Sequence, residues 1–147
     1  MPAQAGTALR RLREGRGAPI LLAALLLLAA ALRWNNLDWD QGHVFHPDER
    51  HILMVTAGLA LPFPLDWPLL LSPKSPLNPH SFAYGSLPFY LLKLTAQALA
   101  SLGGLAEILA PLRAFGDFGQ LRLIGRFLSG LFDVGSVALI YLIGSRL

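Results

Sequence analysis

The sequence predicts an all-α integral membrane protein: two transmembrane helices joined by a long outer loop that carries amphipathic juxtamembrane helices. Three observations predict it. Of the 147 residues, 54% are hydrophobic and only 14% charged, the balance of a chain solvated by lipid rather than of a soluble domain this size. Two apolar blocks approach the roughly 20 residues that a bilayer crossing requires. Between them, apolar side chains recur at helical spacing. The net charge of +3 is modest, and its arginines gather near the N-terminus, a pattern of cytoplasmic anchoring and not of nucleic-acid binding. With no cysteine in the chain, disulfides and thiolate metal sites are excluded.

Residues 1–17 form a basic cytoplasmic N-terminus through Arg10, Arg11, Arg13 and Arg16. Ala18 to Leu32 are fifteen consecutive apolar residues. Extended through Arg33 and Trp34, the segment 18–34 reads as the first span, leaving the cytoplasm, with Arg33 snorkelling and Trp34 at the interface. A cleaved signal peptide is the rival, since Ala29-Ala30-Ala31 after a short apolar run fits that pattern. Residues 35–122 then form an extracytoplasmic loop. Within it, Ile52, Val55 and Leu59, widened by Leu53 and Met54, give an amphipathic helix over about 48–61, begun by Pro47 and ended by Pro62. The proline-rich stretch from Pro62 to Pro79 reads as ordered but irregular. A second juxtamembrane helix over about 88–102 starts at Pro88, and the polar stripe Tyr90, Lys93, Gln97 and Ser101 suits the interface better than full immersion, a spanning reading remaining open. Residues 123–143 form the second span and 144–147 a cytoplasmic end, with Arg146 on that side. These readings place the chain in the plasma membrane.

Chemistry concentrates in the outer segment. Asp48 and Glu49 open a helix, where unpaired N–H groups favour carboxylates. Helix capping is the plain reading; an acid held ionised near the lipid surface can also deprotonate a hydroxyl acceptor attacking a sugar phosphate in the outer leaflet. His43, His46, His51 and His80 share the segment, yet their spacing matches no zinc signature. No metal site is assigned and no motif calls for a cofactor, although a divalent cation is compatible. The run from Asn78 to Tyr90 is dense in aromatics and hydroxyls. It reads either as a membrane belt or as a headgroup site, with His80, Tyr84 and Lys93 available to a phosphate. Asp133, inside the second span, costs several kcal/mol if unpaired in hydrocarbon. Arg126 is seven residues away, too far along the helix for contact. A helix beyond this chain is the expected partner.

The basic N-terminus and single span, the Asp48-Glu49 pair opening an outer helix, the segment Tyr84-Gly85-Ser86-Leu87-Pro88-Phe89-Tyr90-Leu91-Leu92 and the span opening Gly125-Arg126-Phe127-Leu128-Ser129-Gly130-Leu131-Phe132 together resemble one family. The chain is similar, from about Ala18 onward, to the N-terminal part of a GT-C membrane glycosyltransferase of the protein-mannosyltransferase and aminoarabinose-transferase type, glycosyltransferase family 39. The resemblance implies an inverting transferase that takes a sugar from a polyprenyl-phosphate carrier on the outer face. It implies that Asp48, with Glu49 beside it, is catalytic, and that this chain is a fragment of a larger polytopic fold. Its partners are then membrane lipid, the carrier-linked sugar, and missing C-terminal transmembrane helices or a partner subunit. Some relatives hold the carrier phosphate with a lysine where this chain has Gly85-Ser86, which leaves His80, Tyr84 and Lys93 for that role. The competing class is a small non-enzymatic membrane protein whose outer segment binds lipid or a partner subunit.

Overall fold

A computed structural model describes residues 17–60, 64–101 and 116–147, and every regular element among them is a helix. These are α1 (Gly17–Trp34), α2 (Pro47–Gly58), α3 (Trp67–Leu70), α4 (Leu87–Ser101) and α5 (Gly116–Gly144). The arginines at 10, 11, 13 and 16, Pro62 and Phe63, and Leu102, Gly103, Gly104 and Arg113 lie outside the described residues. The chain divides into two units, one of residues up to 36 with 129–147 and one of residues 37–128.

In the first unit, α1 buries no residue, and Ile20, Leu27 and Ile140 are among many exposed apolar side chains. The helices Gly17–Trp34 and Phe118–Gly144 are long and apolar enough to cross a membrane. Helices so apolar and so little buried suit a hydrocarbon solvent, which satisfies their side chains while the backbone bonds stay internal. Asp133 meets its counter-charge inside the chain. The Arg33 guanidinium donates to its carboxylate, so the expectation of a partner beyond the chain is corrected. Gly130 permits the neighbouring contact: a Cβ there would lie 2.7 Å from Trp34 Nε1, and only a glycine leaves space for the indole.

The second unit is built on α2, α4 and the start of α5. Val44, Leu53, Leu92, Leu121 and Ile124 form its buried cluster, with Ile52, Ala57, Ala96, Leu99 and Leu128 packed around it. The buried face of α2 differs from the expected stripe. Leu53 and Thr56 are buried while Met54 is exposed. The Thr56 hydroxyl has no hydrogen-bond partner among the described residues, a cost that hydropathy reading has no reason to anticipate. On α4, Phe89 and Leu92 are buried, and Tyr90 leaves the expected polar stripe to donate from Oη to the Leu77 carbonyl at 2.8 Å.

That bond anchors the proline-rich segment, which holds one short helix where none was expected. Asp66 caps α3 by accepting from Leu69 N at 3.0 Å, with Pro68 in the first turn, the position in which a missing N–H costs nothing. Ala60 N donates to Pro76 O at 3.1 Å, Asn78 Nδ2 donates to Pro73 O at 3.1 Å, and the buried Ser75 hydroxyl accepts from Leu77 N at 3.2 Å. Turn-forming side chains thus satisfy backbone groups that no ladder serves.

The helix expected from Leu123 begins at Gly116 instead. Arg122 interrupts the hydropathy of the sequence, yet in the fold its charge is neutralised by carboxylates from the 37–46 loop. The helix therefore extends through it.

Candidate functional site

The site starts from a problem of charge burial. Arg122 and Asp40 are only 1% and 2% exposed, and buried ions must be paired. Arg122 is paired with Asp40 through Nη1 and with Asp38 through Nη2. One turn on, Arg126 donates from Nη2 to Asp40 Oδ2 at 2.7 Å and from Nη1 to the Leu37 carbonyl at 2.6 Å. Its guanidinium also lies 5.3 Å from the Trp39 ring centroid, a cation–π distance. Spacing by four residues puts both arginines on one face of α5, so together they hold the 37–46 loop.

Asp40 organises that loop in turn. Its carboxylate accepts from Gly42 N at 3.3 Å and Val44 N at 3.0 Å. Val44 has φ +48°, a conformation that β-branched residues rarely adopt. It is held there by Asp40 on its N–H and by Arg50 Nη2, which donates to its carbonyl at 3.0 Å. The Arg126 hydrogen bond holds the Asp40 carboxyl well below the usual carboxylate range, from 3.8 to about 2, against burial, which pushes it up. A lowered folded-state pKa contributes stability that is complete above the unfolded value and disappears as pH falls through the folded one. Order in the 37–46 loop is therefore expected to fade between pH 3.8 and about 2, and Asp40→Asn is expected to remove that contribution. Trp39 fluorescence against pH in the two proteins checks it.

The two neighbouring acids have different fates. Arg126 donates from Nε to Glu49 Oε1 at 2.7 Å and from Nη2 to Oε2 at 2.8 Å, a bidentate grip that fixes both direction and charge. Asp48 is exposed. The N-cap of α2 is His46, whose side chain makes no capping bond, so the acids favour the first turn through charge alone. The Asp48 carboxylate raises the Tyr84 phenol above its ordinary value, with a smaller contribution from burial. His51 lies three residues along α2 from Asp48. Its Nε2 is 2.8 Å from Ser81 Oγ, and its ring lies 6.2 Å from that of Tyr84.

Of the residues singled out in the sequence, the fold gives Glu49 to Arg126 and sets the Tyr84 ring beside His51 of α2. His80 is exposed at φ +49°, with its N–H on Asn78 Oδ1, and no hydrogen bond joins it to Asp48 among the described residues. Lys93 lines an open cleft of about 190 Å³ with Ala57, Ala96, Gln97, Ala100, Gln120 and Leu121, and no described ion pair includes it. His43 stacks on Phe45 at 5.3 Å. Among the described residues no group of three or more histidines, aspartates and glutamates could hold a metal ion.

Sequence reasoning missed Asp38, Asp40 and Arg122 as parts of the site, and it weighed Arg126 only as a partner for Asp133. The signal was present: Asp38 and Asp40 flank Trp39, and Arg122 and Arg126 stand four apart. Three carboxylates and two guanidiniums in apolar surroundings call for one another. No family model matches the chain, and no curated protein or solved structure resembles it closely enough to indicate kinship.

Proposed function

We propose that this chain is the N-terminal portion of an inverting GT-C-type membrane glycosyltransferase, with residues 35–122 outside the plasma membrane and Asp48 as the catalytic base. The observation that carries the proposal is the division of labour between the adjacent acids. Glu49 is held by both oxygens on Arg126, while Asp48 stands exposed at the start of α2. One acid is structural and its neighbour is available, an arrangement suited to a base on a rigid mount.

In the proposed reaction, the oxygen of an acceptor hydroxyl attacks the anomeric carbon of the carrier-linked sugar from the face opposite the phosphate. The new carbon–oxygen bond forms as the bond to polyprenyl phosphate breaks, the phosphate leaves with the electron pair, and the acceptor proton passes to Asp48. His80, Tyr84 and Lys93 are the side chains assigned to the carrier phosphate. Sugar transfer from polyprenyl phosphate by membranes containing the complete enzyme tests the reading. Asp48→Asn is expected to lower it by about 10²–10⁴-fold, and undiminished transfer at normal expression would refute the assignment.

The cleft around Lys93 supports a second reading, lipid binding without chemistry. Its alanine-lined floor and Lys93, Gln97 and Gln120 suit an acyl chain beneath an anionic headgroup. Under that reading Lys93→Ala weakens lipid binding and Asp48→Asn changes nothing.

A further inference from the structure

The proline-rich turn between α2 and α4 serves neither the buried cluster nor the ion pairs, yet it displays large apolar side chains. Leu65, Trp67 and Leu71 are all exposed, Trp67 by 63% and Leu71 by 85%. Leu71 N donates to Trp67 O at 3.0 Å, so the single turn of α3 sets these two side chains on one face. The backbone beneath them is closed. Between residues 68 and 80, Pro68, Pro73, Pro76 and Pro79 carry no N–H. Every other N–H there donates to an oxygen of residues 66–78, those of Leu69 and Leu70 to Asp66 and that of Lys74 to Ser72 among them. A loop in water can leave donors to the solvent, whereas one that enters a bilayer must satisfy them itself.

We propose that the turn from Leu65 to Leu71 is a membrane foot: Trp67 and Leu71 enter the headgroup and upper acyl region of the bilayer that α1 and α5 cross, with Lys74 at the rim beside the lipid phosphates. Three observations choose lipid over a protein partner. The 37–128 unit is tied in sequence, at each end, to a helix long and apolar enough to span, which keeps it beside a bilayer whatever else it binds. Three side chains on an exposed turn fall well short of the about 800 Å² per partner of a stable protein interface, while shallow insertion needs only an amphipathic indole and an aliphatic neighbour. Lys74 is exposed and belongs to no described ion pair, so its ammonium is available to phosphate. The inference does not rest on sugar transfer.

The absence of cysteine from the chain makes the test direct. Leu71→Cys, labelled with an environment-sensitive nitrobenzoxadiazole and placed in phosphatidylcholine nanodiscs, is expected to show blue-shifted emission that is quenched when the lipids carry a doxyl group near the headgroup end of the acyl chain. Adding Trp67→Glu is expected to lower the ratio of inserted to exposed label by at least about tenfold, the effect of withholding one large apolar side chain from lipid. Both positions are exposed, so neither change disturbs the core. Water-like, unquenched emission would overturn the proposal. So would blue-shifted emission that doxyl lipids do not quench, which marks cover by protein, a second copy of this chain included. Quenching that survives Trp67→Glu would overturn it as well, since the label would then be partitioning by itself.

Discussion

Arg122→Met is expected to destabilise the 37–128 unit by about 3–5 kcal/mol, the cost of removing one partner from a buried ion pair. Arg122 is buried against Asp40, and methionine fills much of its volume while supplying no charge. The loss falls chiefly on Asp40, which keeps Arg126 and two backbone N–H donors but loses a guanidinium in surroundings where water cannot replace it. Since Asp40 also holds Val44 at its positive φ, the 37–46 loop is expected to loosen before the helices do. Thermal unfolding followed by tryptophan emission reads both events, because Trp39 lies beneath Arg126.

The second large effect is on rate. Asp48→Asn is expected to lower kcat for sugar transfer by about 10²–10⁴-fold, the usual contribution of a positioned general base, with KM for the carrier-linked sugar little changed. The amide keeps the size of the side chain but cannot take the acceptor proton. Glu49→Gln is expected to behave differently. It weakens a charge-assisted bidentate pair with Arg126, so its deficit appears as lowered thermal stability and looser mounting of α2, with transfer reduced less than by Asp48→Asn. Comparing the two variants at matched folded fraction separates a base from its support.

Much of the architecture was legible because lipid imposes simple demands. Fifteen apolar residues after a basic stretch leave few alternatives to a helix, and α1 follows that block closely, as α2 and α4 follow Pro47 and Pro88. The polar interior was not legible, for an identifiable reason. Asp40 and Arg122 are 82 residues apart in sequence, and hydropathy registers each as an interruption, whereas the fold brings them together and buries both. Thr56 is likewise a polar residue in a buried place. Within the site, Asp48 was visible from its place at a helix start, while the fate of Glu49 depended on Arg126, a residue that the sequence associates with the second span. Ser81 and His51 carry no motif, and they meet at 2.8 Å across 30 residues of sequence.

The account depends most on Asp48 facing the exterior. Because the chain has no cysteine of its own, Asp48→Cys supplies a single reactive thiol, and intact cells can be treated with a membrane-impermeant maleimide before and after permeabilisation. Full labelling of residue 48 before permeabilisation is the predicted result. Labelling only after the membrane is opened would place the acid on the cytoplasmic side and contradict the proposed chemistry.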